Sequence, residues 1–316
     1  MTGPHRAPRP APPDSAQRSR SYAIAGHAFE APALAPGLHL VATPIGNLRD
    51  ISLRALETLA GADTIACEDS RVTRKLIDHY AIATPLTPYH EHNAAAARPK
   101  LLARLTAGAR IALVSDAGTP LISDPGYKLV RAAREAGLAV SAVPGASAAL
   151  MGLTVAGLPT DRFFFEGFLP PRAAARRERI AALKPIPATL VLFETGPRLA
   201  ATLADLAALL GPREAAIGRE LTKLYEEVRR GTLEALAAAY AGAPAPRGEI
   251  VMVVAPPGER APTSEADLDA LLRDALERAS VKDAVEEVAT IAGRARRDVY
   301  QRALALKRES PDGAAD

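Results

Sequence analysis

The sequence predicts an α/β fold built around a largely parallel, doubly wound sheet. Three observations predict it: short apolar runs that end in Gly/Pro loops, apolar residues at helical spacing between those runs, and a restart of the same alternation after Gly157. Strands that alternate with helices are typical of parallel sheets with helices on both faces. The chain has 316 residues and 48% of them are hydrophobic, which is enough for two such units and a small appendage.

Residues 1–36 are predicted to form a disordered tail, because they contain seven of the 27 prolines and little apolar periodicity. They lack the apolar core of a secretory signal, and no run in the chain approaches the ~18 apolar residues that span a bilayer. Cys67 is the single cysteine, so an internal disulfide is excluded. These features together predict a cytoplasmic protein.

The first α/β unit is predicted to span residues 37–157. It begins with the apolar run Leu38–Ala42, which stops at Thr43-Pro44 and is typical of a buried strand followed by a loop. Three leucines at helical spacing then predict a helix around 53–59. The remaining pattern predicts, in chain order, strands at 64–67, 110–115 and 139–143 and helices at 93–107, 126–136 and 147–156.

A second unit is predicted over residues 158–255, because the alternation restarts after a boundary at Gly157–Thr160. Residues 256–264 (PPGERAPTS) are predicted to be a linker. Three amphipathic helices are expected in residues 265–308, as a module of helix-turn-helix type, and residues 309–316 as a tail. Within the second unit the pattern predicts strands at 162–166, 188–193, 214–218 and 249–255 and helices at 173–183, 198–210 and 232–240.

Three strand ends of the first unit carry loops that combine glycine with proline, at Thr43–Leu48, Ser115–Gly126 and Val143–Ala148. Glycine lets a backbone approach a ligand closely, and proline fixes the loop. Ligands of open α/β sheets bind beyond the carboxyl ends of the strands, so the loops predict a ligand site, with ordinary turns as the alternative. No G-x-G-x-x-G follows the first strand, and P-loop and G-x-S-x-G motifs are absent, which disfavours a conventional dehydrogenase and a P-loop NTPase.

The chain contains several distinctive motifs: TPIGNL (43–48), EDSR (68–71), HEHN (90–93), SDAGTPLISDPG (115–126), VPGASAAL (143–150), GLPTDRFFFEGFLP (157–170) and GRELTK (218–223). Together they resemble the motifs of the tetrapyrrole methylase superfamily. The resemblance spans about residues 37–308 and is strongest to the members that methylate the 2′-oxygen of a cytidine in 16S ribosomal RNA. Only the long N-terminal tail departs from the family pattern.

This resemblance implies two αβα domains of the tetrapyrrole methylase type with a cofactor cleft between them, followed by the small C-terminal helical module. It implies S-adenosyl-L-methionine as the cofactor, a homodimer, no metal, and 16S rRNA or the small ribosomal subunit as the partner. The Asp116 carboxylate and loop backbone groups are expected to satisfy the charges of the cofactor. The cofactor contacts of the family map onto Pro44, Asp116, Ala117, Gly118, Ser147, Ala148, Phe165, Gly248, Glu249 and Ile250.

Methyl transfer to a ribose hydroxyl requires alignment of the reacting atoms and removal of a proton. Several side chains are candidates for the base, and the sequence does not distinguish among them. Glu68 could instead pair with a nearby arginine, the two histidines could be surface groups, and the last two candidates could form a helical i, i+3 ion pair. The candidates are Glu68, His90, His92, Glu220 and Lys223.

The net charge is small, since 39 basic and 36 acidic residues give +3, so any RNA contact must come from local patches. One candidate patch follows the FEGFLP loop and the other lies at the last helix, each with a solvated helix face as the alternative. Two rival functions stay open: methylation of a tetrapyrrole ring by the same fold, and non-catalytic RNA binding. The arginines of the two patches are Arg172, Arg176 and Arg177, and Arg294, Arg296 and Arg297.

Overall fold

The computed structural model of the chain describes residues 20–258 and 265–309, except Pro125 and Gly293. Within those residues it contains two five-stranded sheets, a two-stranded hairpin and eleven α-helices, so the predicted α/β class is confirmed. The predictions made for residues 1–19, 259–264 and 310–316 lie outside the described residues.

A β-hairpin of β1 (Ser21–Ile24) and β2 (His27–Glu30) precedes the first sheet. Its Tyr22 ring is buried in the cluster formed with helix α1 (Leu53–Gly61) and stacks on Phe29, with ring centroids 5.6 Å apart. The prediction of a disordered tail is therefore wrong for the hairpin. The hairpin is stabilised by burial of Tyr22 against a helix distant in the chain, and local composition does not reveal such a contact.

The first sheet is formed by β3 (Gly37–Val41), β4 (Thr64–Cys67), β5 (Leu86–Pro88), β6 (Arg110–Val114) and β7 (Val140–Val143). All of its pairings are parallel, as the sequence predicts, and the strand order is β5-β4-β6-β3-β7. The connection from β3 to β4 passes the position of β6 on one side of β3. The later connection from β6 to β7 places β7 on the other side of β3. The order therefore reverses beside β3, which is where open α/β sheets bind their ligands.

Helices cover both faces of the first sheet. On one face α1 and α2 (Ser70–His79) bury Leu56 and Ile77 against the strands. On the other face α3 (Ala94–Thr106) and α4 (Tyr127–Glu135) bury Leu101 and Leu129. Each such side chain contributes about 1.5–3 kcal/mol by its removal from water.

The second sheet consists of β8 (Phe163–Phe168), β9 (Thr189–Thr195), β10 (Glu214–Arg219), β11 (Glu227–Thr232) and β12 (Glu249–Val254). Its order is β11-β10-β12-β9-β8, and only β8 and β9 pair in parallel. The prediction of a largely parallel sheet is therefore wrong for this unit. A short connection joins β10 to β11, and strands joined in that way must run antiparallel.

Helix α5 (Ala148–Ala156) lies before the predicted domain boundary at residue 157 but packs on the second sheet. Its Gly152 leaves no room for a side chain, since a Cβ there would lie 2.4 Å from Cγ1 of Val251. By packing, the boundary falls before α5, and Gly157 (φ +75°) only ends the helix. The opposite face of the sheet is covered by α6 (Ala173–Leu183), α7 (Gly196–Leu210) and α8 (Leu233–Tyr240).

Three C-terminal helices, α9 (Glu265–Arg278), α10 (Val281–Ala292) and α11 (Arg296–Glu309), pack against one another. Leu272 and Val299 are fully buried in their shared core. This arrangement matches the three amphipathic helices expected for the module. Among the helices in the described part of the chain, none has the length and apolarity needed to cross a membrane.

Candidate active site

A cavity of about 230 Å³ lies between the two sheets. The loops that follow β3, β6 and β7 bound it on one side, and residues at the ends of β8, β9 and β12 bound it on the other. Its volume approaches the roughly 300 Å³ at which small-molecule pockets begin. The three Gly/Pro loops that predict a ligand site therefore meet at one place.

The loops after β3 and β6 are joined by two backbone hydrogen bonds. Thr43 N donates to Gly118 O at 2.9 Å, and Gly118 N donates to Thr43 O at 3.1 Å. Gly118 has a φ of +77°, and a Cβ there would lie 3.3 Å from Cγ2 of Ile45. Glycine therefore permits both the left-handed backbone and the close approach of the two loops.

The third loop leads into the N-terminus of α5 at the cavity. Ser147 caps the helix by accepting a hydrogen bond from Leu150 N at 3.5 Å, and both Ser147 and Ala148 line the cavity. The unpaired N–H groups of a first helical turn and the helix dipole favour a negative charge at such a position. This end of the cavity therefore suits the carboxylate of S-adenosylmethionine.

Seven of the ten residues predicted to contact the cofactor line the cavity. They come from both α/β units, so neither unit forms the site alone. The seven residues are Ala117, Gly118, Ser147, Ala148, Gly248, Glu249 and Ile250.

The other three predicted residues, Pro44, Asp116 and Phe165, do not line the cavity. Pro44 is buried. Oδ1 of Asp116 accepts a hydrogen bond from Asp69 N at 2.9 Å, which engages this carboxylate at the start of α2. Phe165 packs edge-on against Phe193, with ring centroids 5.0 Å apart, and the Phe193 ring lines the cavity. Asp116 and Phe165 thus contact elements next to the cavity.

The chemistry of the lining fits S-adenosylmethionine. Ile45, Leu221 and Ile250, which are 6%, 6% and 2% exposed, give one end of the cavity a buried apolar surface suited to an aromatic base. The carboxylate of Asp124 is suited to a cation. When bound, this cofactor supplies a methyl group activated by a positive sulfonium.

The candidate bases Glu220 and Lys223 form an ion pair in a turn after β10, not in a helix. Lys223 Nζ lies 2.9 Å from Oε1 of Glu220 and 3.0 Å from Oε2 of Glu249. Burial lowers the pKa of Lys223, but its bonds to the two carboxylates outweigh burial and raise the pKa overall. The hydrogen bond from Lys223 lowers the pKa of Glu220. Lys223 therefore stays protonated and cannot accept a proton, and Glu220 accepts one poorly because its pKa is lowered, so both are weak candidates for the base.

Glu68 belongs to an acidic cluster with Asp116 and Asp124 at the ends of β4 and β6. Burial raises the pKa of Glu68, and the neighbouring carboxylates raise it further. Burial likewise raises the pKa of Asp124, with Asp116 adding to the effect. Asp69 instead caps α2 and binds Arg71, which lowers its pKa to about 2. Of these four carboxylates, Asp124 alone lines the cavity.

The two histidines do not reach the cavity lining. They follow β5, the edge strand farthest from β3 and β7 in the sheet, and their ring centroids are 6.1 Å apart. Asn93 organises this turn by accepting a hydrogen bond from His90 N at 2.9 Å. His90 and His92 are therefore disfavoured as bases. Among the residues that the structure describes, no group of three His, Cys, Asp or Glu side chains could hold a metal ion.

The first arginine patch is only partly available to RNA. Arg176 is 7% exposed and its Nη2 lies 2.7 Å from Oδ2 of Asp205, so the prediction that it contacts RNA is wrong. Sequence alone did not distinguish its buried helical position from the exposed one of Arg177. Arg172 and Arg177 are exposed, and Nε of Arg177 lies 3.6 Å from the same aspartate.

The second patch lies at the start of α11. Arg297 is exposed and Arg294 is half-buried. Arg296 is exposed and pairs with Glu286 of α10. Arg296, Arg297 and Tyr300 also border a shallow pocket beside α10, so a basic and partly aromatic surface faces outward there.

Among the cavity residues that the sequence did not single out are Asp124, Phe168, Phe193 and Glu194. Asp124 lies in the SDPG end of a motif that was recognised, so its loop was a detectable signal. Phe168 likewise lies in the recognised motif GLPTDRFFFEGFLP, whereas Phe193 and Glu194 lie on β9, where a ligand-facing residue has the same local pattern as a core residue. Glu194 is 2% exposed, and its Oε2 accepts a hydrogen bond from Thr202 at 2.7 Å.

Comparisons with known proteins match nearly the whole described chain. A family model for tetrapyrrole (corrin/porphyrin) methylases matches residues 37–237, and one for the RsmI C-terminal HTH domain matches residues 262–307. The Ribosomal RNA small subunit methyltransferase I of Mesorhizobium japonicum is 53% identical over 89% of this chain and 95% of its own length. The protein of the same name from Erythrobacter litoralis is 53% identical over 89% of this chain and 99% of its own length.

A solved structure, uroporphyrin-III-C-methyltransferase from Thermus thermophilus, is 24% identical to the chain. It superposes with a TM-score of 0.50 over 70% of this chain and 94% of that one, which is a likeness of fold. These matches confirm the predicted methylase fold, methyl transfer as the activity and S-adenosylmethionine as the cofactor. The chain belongs to the tetrapyrrole methylase family and, within it, to the group of ribosomal RNA small subunit methyltransferase I proteins.

Proposed function

We propose that the chain transfers a methyl group from S-adenosylmethionine to the 2′-oxygen of a cytidine ribose in 16S rRNA of the small ribosomal subunit. The assignment of an RNA substrate rests on the 53% identity, over 89% of the chain, to a relative named for this subunit. The ribose 2′-oxygen and the cytidine are proposed as the methylated atom and nucleoside because of the motif resemblance. Because ribosomal subunits are cytoplasmic, the enzyme acts in the cytoplasm.

In this proposal the cavity between the sheets holds the cofactor. The buried apolar end takes the adenine base, and the N-terminus of α5 takes the carboxylate. Backbone groups of the loops at Ala117–Gly118 and Gly248–Ile250 supply the remaining contacts. Pro44, Asp116 and Phe165 act behind these loops by fixing their positions.

The RNA in this proposal contacts two basic surfaces through its phosphates. One surface contains Arg172 and Arg177 beside the second sheet. The other contains Arg294, Arg296 and Arg297 on the helical module, whose match to an HTH domain model supports a nucleic-acid role. We also propose a homodimer, as is typical of the family, in which each copy keeps its own cavity.

The experiment that tests this function uses radiolabelled S-adenosylmethionine and small ribosomal subunits from cells with and without the gene. Label is expected on a cytidine ribose, and only in subunits from cells that lack the gene, since the site is already methylated in the others. The same assay on protein-free 16S rRNA distinguishes naked RNA from the assembled subunit as the substrate. Absence of label in both RNAs would contradict the proposal.

Two further measurements distinguish the proposed function from its rivals, which are methylation of a tetrapyrrole ring and non-catalytic RNA binding. The structural likeness to a uroporphyrin methyltransferase concerns the fold alone, and a tetrapyrrole substrate would incorporate label on carbon in the absence of RNA. A non-catalytic RNA-binding protein would bind RNA but would give no heat on titration with S-adenosylhomocysteine. We expect binding of S-adenosylhomocysteine and no label on a tetrapyrrole.

A further inference from the structure

Asp124 reaches the cavity from a loop of the first unit that crosses to the second sheet. The loop connects β6 to α4, and Asp124 lies in it among the lining residues. Its neighbour Ser123 packs at the bulge of β8, because a Cβ on Gly167 would lie 2.9 Å from Oγ of Ser123. The carboxylate is therefore presented at the junction of the two units.

The cavity has a buried end and an open rim, and Asp124 belongs to the rim. Ile122 and Phe168 line the cavity yet are 46% and 53% exposed, whereas Leu221 and Ile250 at the other end are almost fully buried. Exposed apolar side chains around a pocket are typical of a surface that contacts a partner. A large substrate would meet the exposed Ile122 and Phe168 first, so Asp124, in the same loop as Ile122, lies on the side from which the substrate approaches.

The other carboxylates of the cavity are already neutralised. Glu194 lies 3.3 Å from Nε of Arg198, and Glu249 lies 3.0 Å from Nζ of Lys223. Within the described residues no lysine or arginine lies at ion-pair distance from Asp124. The groups that face it are the Ser115 hydroxyl and two further carboxylates, those of Asp116 and Glu68.

The backbone just before Asp124 is held in a costly conformation. Leu121 and Ser123 have φ values of +76° and +64°. Such left-handed residues other than glycine cost on the order of 1–3 kcal/mol each and are concentrated at functional sites. The loop therefore fixes the position of one carboxylate at the expense of backbone energy.

From these contacts we propose that Asp124 is the general base for the methyl transfer, an inference that rests on the proposed function. The 2′-hydroxyl of the ribose gives its proton to a carboxylate oxygen of Asp124. The same ribose oxygen forms a bond to the methyl carbon while the carbon–sulfur bond breaks and leaves its electron pair on sulfur. Before the step the carboxylate carries one negative charge and the sulfonium one positive charge. After it the products are a carboxylic acid and a thioether, which are both neutral at these groups.

The setting of Asp124 favours this step in two ways. Opposite charges disappear together, and a rim that the bound substrate shields from water favours such a loss of charge because it solvates ions poorly. Burial and the Asp116 carboxylate raise the pKa of Asp124, which brings its basicity closer to working pH, where a general base is most effective. No other candidate combines cavity lining with a raised pKa.

The test compares the wild type with Asp124→Asn in the labelling assay. The wild type must first label a cytidine ribose, and if it does not, the proposed function and this inference both fail. If it does, Asp124→Asn is expected to lower kcat by about 10² to 10⁴ with little change in KM for the cofactor. Glu135→Gln serves as the matched control, since Glu135 is an exposed carboxylate on α4, paired with Arg131 at 2.8 Å, and its activity should equal that of the wild type.

Two measurements without turnover complete the test. Calorimetry should give the same affinity for S-adenosylhomocysteine in Asp124→Asn and in the wild type. Carbon-13 spectra of labelled aspartate carboxyls should contain one titration above the usual carboxyl range that disappears in Asp124→Asn. A kcat within threefold of the wild type would overturn the proposal. So would a large loss of cofactor affinity with kcat retained, which would make Asp124 a cofactor ligand instead.

Discussion

The side chain of Lys223, from the second unit, lies directly over Gly46 in the first. A Cβ on Gly46 would lie 2.4 Å from Cε and 2.5 Å from Cγ of this lysine. The Lys223 ammonium is held at the same time by Glu220 at 2.9 Å and by Glu249 at 3.0 Å. One lysine thus connects the first loop of the cavity to the β12 side, and the absence of a side chain at residue 46 allows it.

We expect Gly46→Ala to weaken cofactor binding, because the added methyl group must displace Lys223 and separate the two sides of the cavity. Overpacking of this kind costs about 1–3 kcal/mol, and 1.4 kcal/mol is about tenfold in affinity, so the affinity for S-adenosylhomocysteine should fall about 10- to 100-fold by calorimetry. Gly108→Ala is the matched control. Gly108 also has a positive φ, of +84°, but has no atom within 4 Å of its Cβ position. Equal affinities for the two variants would contradict this account, because the close approach of Lys223 distinguishes Gly46 from Gly108.

Glu220 is predicted to make stability depend on pH in the acid range. Its pKa is lowered by the hydrogen bond from Lys223, and the N–H of Glu249 donates to the same Oε1 at 3.0 Å. A carboxyl with a lowered folded pKa stabilises the protein above its unfolded pKa of about 4.3, and this contribution is lost as pH falls through the folded value. Glu220→Gln should therefore lower the free energy of unfolding at pH 7 and reduce its loss between pH 5 and pH 3.

Urea denaturation at several pH values measures this effect, provided that the slope against denaturant stays constant. Glu234→Gln is a suitable control, because Glu234 is an exposed acidic residue in the first turn of α8, away from the cavity. If Glu220→Gln and the wild type lose equal stability on acidification, the lowered pKa of Glu220 is not a source of stability.

Much of the fold and part of the site could be predicted from the sequence. The parallel first sheet follows from apolar strands between amphipathic helices, and the Gly/Pro loops identify the ends of β3, β6 and β7. The strand β11 was missed because its residues, EVRRGT, carry charges at the edge of the sheet and give no apolar alternation. Helix α2 and strand β5 were missed for similar reasons, since α2 is mostly polar and β5 has three residues.

The pairing of residues across the cavity could not be predicted from local pattern. Arg176 and Arg177 are adjacent in an arginine-rich helix, yet one is buried on Asp205 and the other is exposed. Asp124 and Glu68 lie in recognised motifs, but which of them lines the cavity depends on how the loop after β6 meets β8. Such contacts join residues far apart in the chain, so periodicity and motif spacing do not report them.

Gly152 is expected to be intolerant of any side chain, because α5 approaches the second sheet most closely there. Gly152→Ala would place a Cβ 2.4 Å from Cγ1 and 2.9 Å from Cβ of Val251. An alanine in a helix usually gains up to about 1 kcal/mol over glycine, but overpacking should reverse this and lower stability by about 1–3 kcal/mol. The double variant Gly152→Ala with Val251→Ala should recover part of the loss in a double-mutant cycle. Simple additivity of the two substitutions would contradict this account of the packing.

The arginine patches are predicted to divide into binding and structural residues. Arg177→Gln and Arg297→Gln remove exposed cations, so each should weaken binding of the 16S RNA substrate uniformly and reduce the dependence of log affinity on log salt by about 1. Arg176→Gln should instead lower the melting temperature, because it leaves the half-buried Asp205 without its closest cation at 2.7 Å.

Arg131→Gln is the control for lost surface charge, since Arg131 is exposed on α4 and pairs with Glu135 at 2.8 Å. Filter binding at several salt concentrations, together with thermal melts, separates the two classes of arginine. A lower salt slope for Arg297→Gln but not for Arg177→Gln would assign the RNA contact to the helical module. The reverse result would assign it to α6. An unchanged slope in both would mean that the phosphates are bound elsewhere on the protein, because an exposed cation that contacts a phosphate must release counterions.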